Sequence, residues 1–427
     1  MSTQTLQGHR TREPLMTRLR NGVRVLALPL PHALTCNVSV FVRSGSAHEP
    51  RRLSGISHII EHMVFKGTAT RDARRINLDA EALGAEVNAH TDKDHTAFHM
   101  RGHAADAMTF VHMLADITLH AIFPEHELAS ERQVLLQEYA EDDDDPMSSA
   151  FKLFDQACWG NHAAAMPVIG TRRFIEGCTR DALVAYRQQH YCGENIVVAA
   201  AGQIDADALC AAVESSFAQV TPGQAQLLQA PGYHGGVRAR AQAGSSQTHA
   251  VMGFAIPGLQ SLDATAELAA MVLGEGMSSP LMQRLREQRG LVYYAACAAD
   301  VMDSFGQFVI EASMAPEHLH EFLAEVTLLL TGHAASVHAA DLQRARKQGT
   351  VRQLRLFERP HRWLEQAALD VLIIGQPRSQ PAWAEQFASI TAEQVRACFE
   401  RMLSQPAALA MTGRVPRGSR AWLPTFK

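Results

Sequence analysis

At 427 residues the chain is too long for one ordinary hydrophobic core, so two domains of roughly 200 residues each are expected. A content of 47% hydrophobic and 19% charged residues excludes a disordered or fibrous protein, and a net charge of -5 gives no basic field for binding nucleic acid. No stretch is apolar enough for a signal peptide or a transmembrane helix, so we expect no membrane partner.

The seven cysteines are odd in number and widely spaced, with no C-x-x-C pair among them. This pattern favours unpaired thiols that lie buried in the protein. A reducing compartment keeps such thiols free, so the sequence predicts a cytoplasmic protein.

The first half of the chain begins with strand patterns, and a helical period follows from about Ser54. A second helical pattern ends at Gly84, and two short strands joined by the polar turn Asp92-Lys93-Asp94 come next. Two long helices complete the unit. The predicted strands are 23–28, 37–42, 86–91 and 95–101, and the later predicted helices are 72–83, 104–120 and 124–141.

The second half repeats this plan, because residues 295–330 follow the same order as residues 87–119: strand, polar turn, strand and amphipathic helix. Strands interleaved with long helices indicate an α+β domain used twice, in which a mostly antiparallel sheet packs against helices. The predicted elements of this half are strands 247–255, 293–299 and 306–313 and helices 264–273 and 280–288.

A segment between the halves, residues 231–244 (PGYHGGVRARAQAG), has glycine and charge without periodicity, which is typical of a linker. We therefore predict a first domain over residues 1–230 and a second over residues 245–427.

Three residues of the first helix predict metal chemistry. His58 and His62 are four residues apart, so both imidazoles leave one face of the helix, and Glu61 lies on that face too. A catalytic zinc ion needs about three protein ligands and a nearby base. Glu138 on a later helix is the candidate third ligand, and Glu131, two turns earlier, is placed to orient a histidine.

With 21 histidines in the chain, an H-x-x-E-H string alone is only suggestive, and two core histidines beside an accidental glutamate are the alternative. The string HIIEHMVFKGT and the string SERQVLLQEYAEDDDDP together resemble the pitrilysin/insulinase family of inverted zincins, which includes the mitochondrial processing peptidase. The resemblance covers residues 19–411. It implies that His58, His62 and Glu138 bind one zinc ion per chain and that Glu61 is the catalytic base.

The resemblance also implies a substrate-binding strand, since the string VNAHT, which includes Asn88, Ala89 and Thr91, is similar to the edge strand against which this family lays a peptide. An exposed strand edge offers backbone donors and acceptors to any extended peptide.

The neighbouring histidines His90, His95 and His99 are expected to be ordinary strand residues, because they should alternate across the sheet without a carboxylate cluster. A second metal site is the alternative.

The string LREQRGLVY in the second half resembles the family's arginine and tyrosine motif and places Arg286 near a helix end and Tyr293 at a strand start. In the family these two side chains reach the active site from the far half and help to fix the substrate and the tetrahedral intermediate. A helix-surface arginine and an interior tyrosine are the alternative.

The sequence therefore predicts a zinc metalloendopeptidase that hydrolyses extended peptides or unfolded segments, with peptide maturation or processing as a candidate role. An inactive structural or peptide-binding subunit of a larger peptidase complex is the alternative. Relatives that enclose a substrate chamber use four such domains, so this chain should form half of a clamshell. We expect a homodimer, with a heterodimer with a related chain as the alternative, and Arg286 and Tyr293 acting in cis or in trans.

Overall fold

The computed structural model describes residues 13–418, so the outer ends of the two predicted domains, residues 1–12 and 419–427, lie outside the described part. The described chain forms two β-sheets. Their strands are β1 (Leu15–Arg18), β2 (Arg24–Pro29), β3 (Thr35–Val42), β4 (Glu86–Thr91), β5 (Thr96–His103), β6 (Ile196–Gly202), β7 (Gly236–Ala241), β8 (Thr248–Pro257), β9 (Val292–Val301), β10 (Phe305–Met314) and β11 (Ala408–Gly413).

Helices pack against both sheets, which confirms the predicted α+β class. They are α1 (Ile56–Met63), α2 (Ala73–Ala82), α3 (Ala107–Leu119), α4 (Glu125–Asp144), α5 (Pro146–Trp159), α6 (Arg172–Gly177), α7 (Arg180–His190), α8 (Ala206–Ser216), α9 (Thr265–Gly274), α10 (Pro280–Met282), α11 (Leu319–Ala335), α12 (Ala339–Phe357), α13 (Pro360–Ile374), α14 (Gln380–Ala388) and α15 (Ala392–Leu403).

The second sheet has five strands and repeats the topology of the first, which has β1 as an additional edge strand. The first has the strand order β1-β2-β6-β3-β5-β4 and the second β7-β11-β8-β10-β9. In each sheet one pair is parallel, β2 with β6 and β7 with β11, and the other pairs are antiparallel. The unit β4-β5-α3 therefore has its counterpart in β9-β10-α11, so the predicted repeat of the two halves is confirmed.

Part of the predicted linker is not a linker. Residues 236–241, within the segment 231–244, form β7 and pair with β11. Val237 and Ala239 pack against the core of the second half. The small apolar residues and the glycines on either side conceal this edge strand from a search for hydrophobic alternation.

Each sheet is covered on one face by helices of its own half and on the other face by a helix of the opposite half. On the first sheet, Leu364 and Val371 of α13 pack with Val197 of β6 in one buried cluster. On the second sheet, Phe154 of α5 packs with Val251 of β8. The two halves thus exchange covering helices, and this exchange fixes their relative position.

A buried ion pair also joins the halves. Arg43, just after β3, donates to Asp303 Oδ2 from Nη2 (2.6 Å) and from Nε (3.0 Å), and its Nη1 donates to the carbonyl of Leu372 (3.0 Å). The backbone N–H of Asp303 donates to Asp94 Oδ2 (3.0 Å). Because an unpaired buried charge is costly, these contacts hold the β4–β5 turn against the second half.

All seven cysteines lie in the described part and are unpaired, as predicted, although Cys210 and Cys297 are only half-buried. Among the described helices, none has the length and apolar character needed to cross a bilayer.

Candidate metal centre and active site

The helix that carries the histidines begins at a carboxylate-capped turn. Gly55 has φ +100°, and its N–H and that of Ser57 donate to Glu49 at 2.6 and 2.8 Å. Burial raises the pKa of Glu49 to about 8, although these N–H groups favour its ionised form. Glu49 fixes the start of α1, and nothing in the sequence singled it out, since it precedes the helix by more than a capping residue does.

A close backbone approach positions the same turn. A Cβ atom on Gly55 would lie 2.8 Å from Gly170 Cα, and one on Gly170 would lie 2.2 Å from Ser54 O. Both glycines have positive φ. Only glycine fits here, so the loop that contains Pro167 and Ile169 is held beside α1, where it lines the same cavity as His58.

The structure brings the three predicted zinc ligands together. The nitrogen His58 Nε2 lies 3.6 Å from Glu138 Oε1, and His62 Nε2 lies 3.7 Å from Glu138 Oε2. Their ligand atoms all lie within 4.8 Å of one another. These gaps are too long for hydrogen bonds but close to the spacing of about 3.4 Å between ligands of a tetrahedral zinc ion. The residues present therefore fit a zinc ion.

The predicted orienting glutamate is in contact with the second histidine. His62 Nδ1 lies 2.8 Å from Glu131 Oε1, and Lys66 Nζ lies 2.5 Å from Glu131 Oε2. Burial acts to raise the pKa of Glu131, but the bonds from Lys66 and His62 outweigh it and lower that pKa. An ionised Glu131 keeps the proton on His62 Nδ1, which leaves the Nε2 lone pair free for a metal. Lys66 was not predicted, because a helix-end lysine carries no distinctive spacing.

Glu61 points into the same cavity, which has a volume of about 520 Å³. Thr91 Oγ1 of β4 donates to Glu61 Oε2 at 2.7 Å. Burial raises the pKa of Glu61, and the Thr91 bond opposes that effect. Thr91, predicted to bind substrate, therefore also contacts the candidate base. A carboxylate with a raised pKa beside a metal site is suited to accept and return a proton.

His58 is a neutral ligand in its surroundings. Burial, reinforced by the proximity of His62, lowers the pKa of His58 to about 4. Metal binding requires an imidazole with a free lone pair, so no proton has to be displaced from His58 near neutral pH.

The strand β4 lies at the edge of the first sheet, with β5 as its neighbour. Asp92 N donates to His95 O (2.8 Å), so by alternation Ala89 and Thr91 turn their backbone groups toward the free edge. The Ala89 N–H is bonded to Asn88 Oδ1 (2.8 Å). The predicted substrate strand thus has a free edge beside Glu61, and Asn88 holds one of its donors.

Arg286 and Tyr293 lie together in the second half and apart from these ligands. The Arg286 guanidinium is 5.0 Å from the centre of the Tyr293 ring. Tyr293 is 83% exposed, so the alternative of an interior tyrosine is wrong. Among the described residues, the contacts of this pair stay within its own half and reach none of His58, Glu61 and Glu138.

The three strand histidines do not alternate across the sheet as expected. The rings of His90 and His99 stack with centroids 5.0 Å apart, and those of His90 and His95 meet edge-on at 5.2 Å. The expectation is wrong because His90 pairs with Ala97, and residues 95 and 99 are each two positions from residue 97. Side chains two positions apart along an extended chain lie on the same face, so all three histidines face the same side. A carboxylate, Glu365 of α13, joins them.

Known proteins are similar to this chain in sequence and in fold. Residues 24–172 match the insulinase family model (peptidase family M16), and residues 177–348 match the model of the M16 inactive domain. An uncharacterized zinc protease of Mycobacterium tuberculosis is 31% identical over 421 residues, which cover 96% of this chain and 95% of that protein. The chain belongs to peptidase family M16. The predicted resemblance to the insulinase family is confirmed.

Alignments with other known proteins also cover most of both chains. An uncharacterized zinc protease of Bacillus subtilis is 27% identical over 93% of this chain and 98% of its own. The solved structure of a protease from Helicobacter pylori superposes with a TM-score of 0.86 at 20% identity, over 95% of this chain and 100% of that one. An M16 inactive domain from Pseudomonas fluorescens gives 0.83 at 21%, over 94% and 98%. The two structures support the fold, and the relatives' names support a zinc protease.

Proposed function

We propose that the protein is a zinc endopeptidase that hydrolyses extended peptides or unfolded polypeptide segments. The observation that carries this proposal is the convergence of two imidazoles and one carboxylate, with a second carboxylate beside them, next to the free edge of β4. His58, His62 and Glu138 would hold one zinc ion per chain. Such an ion supplies a Lewis acid that polarises a peptide carbonyl and lowers the pKa of a water molecule.

The side chains of the chain supply the proton transfers. Glu61 accepts a proton from the attacking water and returns it to the leaving amine, for which its raised pKa is suited. Thr91 holds Glu61 Oε2, so Oε1 remains available for the proton. Glu131 and Lys66 keep His62 in the orientation and tautomer that a ligand needs.

The edge of β4 favours extended substrates. A peptide added as a strand would bond to backbone groups of Ala89 and Thr91, and Asn88 would release the Ala89 N–H or accept a substrate N–H in exchange. Because these contacts are with backbone, the strand edge selects an extended conformation rather than a sequence. Peptide maturation and general peptide turnover both fit such a site, and a cytoplasmic location remains a prediction.

The test is turnover of a quenched fluorescent peptide by purified, metal-analysed protein. We expect hydrolysis that 1,10-phenanthroline abolishes and that added Zn²⁺ restores. Protein with a full complement of zinc that cleaves no member of a mixed peptide library, but binds peptides, would instead be the peptide-binding or structural subunit that remains the alternative.

We also propose that the active unit is a homodimer in which Arg286 and Tyr293 of one protomer face the zinc ligands of the other. The exposure of Tyr293 and the contacts of the pair, which among the described residues stay within its own half, support this arrangement. Mixing Glu61→Gln protein with an Arg286→Ala, Tyr293→Phe double variant should restore activity. Half of the exchanged dimers would be mixed, each with one intact site, so about a quarter of wild-type activity is expected.

A mixture no more active than its components, with subunit exchange confirmed by mass spectrometry, would contradict sharing between protomers. A site built within one chain, or a related partner chain, would then take its place.

A further inference from the structure

A second group of metal-ligating atoms lies on the outer face of the first sheet, outside the centre described above. His90 of β4, His95 just before β5 and Glu365 of α13 place three ligand atoms within 4.8 Å of one another. His90 Nε2 lies 3.1 Å from His95 Nε2 and 3.6 Å from Glu365 Oε1. The group combines residues of both halves of the chain.

We propose that His90, His95 and Glu365 form a second divalent metal site that takes zinc or a similar imidazole-preferring ion. Two imidazoles and one carboxylate are a donor set that such ions accept, with water completing the coordination. The proposal concerns metal binding alone and does not depend on whether the protein hydrolyses peptides.

The site has the same construction as the candidate catalytic centre. In both places a carboxylate oxygen from another helix stands 3.6 to 3.7 Å from an imidazole Nε2, a gap too long for a hydrogen bond. In both, a second carboxylate holds the Nδ1 of one histidine. Glu131 does this for His62, and the buried Asp94 does it for His95 at 2.7 Å. A carboxylate–histidine pair of this kind orients metal ligands.

The remaining contacts of these three residues are made by the atoms that would not bind the ion. The other ring nitrogen of His90, Nδ1, lies 3.0 Å from His99 Nε2, so the ring orientation is fixed. Arg362 Nη1 donates to Glu365 Oε2 at 3.1 Å, which leaves Oε1 facing His90. A cavity of about 450 Å³ borders His90, His99 and Glu365 and gives an ion access from solvent.

A hydrogen-bonded chain of imidazoles is the competing explanation. Asp94, His95, His90, His99 and Ser39 are linked in series at distances between 2.7 and 3.1 Å, and a neutral chain of this kind needs no ion. It gives no role to Glu365 Oε1, however, whereas a metal ion does. The two explanations therefore differ in their dependence on Glu365.

The position of the site has a mechanical consequence. His90 precedes Thr91, which contacts Glu61 on the opposite face of β4. An ion shared by His90, His95 and Glu365 would fasten this edge strand to α13, and would thereby hold the strand that the proposed substrate pairs with.

The test uses full-length His58→Ala, His62→Ala protein, in which the first centre has been removed, stripped with a chelator and titrated with Co²⁺ and Zn²⁺. We expect one ion per chain, with the visible absorption of Co²⁺ bound to nitrogen and oxygen. Loss of a residue that only orients a metal ligand weakens binding by about 10- to 100-fold. Adding Glu365→Gln should weaken metal binding by more than that, because it removes a ligand. Glu358→Gln, an exposed glutamate just before α13, is the matched control and should change nothing.

Metal analysis of the otherwise wild-type chain gives an independent reading if the double variant folds poorly. It should contain two ions per chain, and Glu365→Gln should contain one while keeping its circular dichroism. Protein without the first centre that binds no ion would overturn the proposal in favour of the imidazole chain. Binding that survives both Glu365→Gln and His90→Gln would also overturn it, because the ion would then lie elsewhere.

Discussion

The helices α1 and α9 occupy equivalent positions in the two halves, each between a central strand and the following hairpin. Their side chains, however, differ in chemistry and in burial. On α1, His58 and Glu61 line a cavity, and His62 lies beside Glu138 of the same group. On α9, eight of the ten residues are buried, and its one acidic residue, Glu267, accepts a bond from Gln386. The same backbone thus carries a candidate metal centre once and a packed core once. Fold repetition fixes where a site can be built, and the side chains decide whether one is.

The two edge strands differ in the same way. The free edge of β4 runs beside Glu61, whereas β9 carries two exposed tyrosines, Tyr293 and Tyr294, near its start. The first half therefore supplies the candidate chemistry, and the second half supplies side chains that another molecule can reach. The following predictions test this division of roles.

The largest effect is expected for Glu61→Gln. The amide fills the same space but cannot accept a proton, so kcat should fall by at least about 10²- to 10⁴-fold while zinc stays bound. Steady-state kinetics and metal analysis of one preparation check both points. Glu81→Gln, on the exposed face of α2, is the control. Loss of zinc, or activity equal to wild type, would remove Glu61 from the role of base.

Glu138→Ala should reduce zinc affinity strongly, because it removes one of three protein ligands. This loss of zinc affinity should be larger than the decrease of about 10- to 100-fold that follows removal of a residue that only orients a ligand. Dialysis against a chelator of known affinity measures it. Glu141→Ala, one turn later on the same helix, should retain its zinc. If Glu138→Ala protein that also carries Glu365→Gln kept one zinc ion per chain through dialysis, another residue would be the third ligand.

Tyr293→Phe and Arg286→Ala should each lower kcat/KM by roughly 2 to 4 kcal/mol, if they stabilise developing negative charge as other such donors do. Zinc content should not change, since neither residue contacts a ligand. Tyr294→Phe is the matched control, because Tyr294 is the exposed neighbour of Tyr293 and lies outside the arginine and tyrosine motif. Kinetics equal to wild type in both variants would make the exposed pair a surface feature only.

The smallest effect is expected for Glu131→Gln, which keeps a hydrogen-bond acceptor for His62 but removes the charge that Lys66 stabilises. Zinc affinity should fall by about 10- to 100-fold. Competition with a chromogenic chelator measures the zinc affinity of this variant and of Glu138→Ala side by side. A loss as large as that of Glu138→Ala would indicate that Glu131 is itself a ligand.

Periodicity and motif spacing predicted the elements that position the site. The helix of His58, the hairpin whose first strand ends at Thr91 and the long helix of Glu138 all form close to their predicted bounds. These elements have one buried and one polar face, so their sequence period is visible. The assignment of Glu138 as third ligand needed the family resemblance, because spacing along a chain does not show which helices meet.

Other features had no readable signal. Residues 196–202 form the central strand β6 with every residue buried, and a short run that is apolar throughout does not distinguish a strand from a helix. The contact of Glu365 with His90 joins residues far apart in sequence, and so does that of Asp303 with Arg43. Such pairs depend on how the halves pack, which local patterns do not encode.

Because α5 covers the second sheet and α13 covers the first, we expect the two halves to behave as complementary fragments rather than as independently folding domains. Residues 221–235 form neither helix nor strand, so a protease can cut there without touching either sheet. Because each fragment would carry the helix that covers the other fragment's sheet, the nicked pieces should stay associated and elute as one species. Expressed singly, each would expose the apolar outer face of its sheet and aggregate, whereas co-expression should restore the soluble pair.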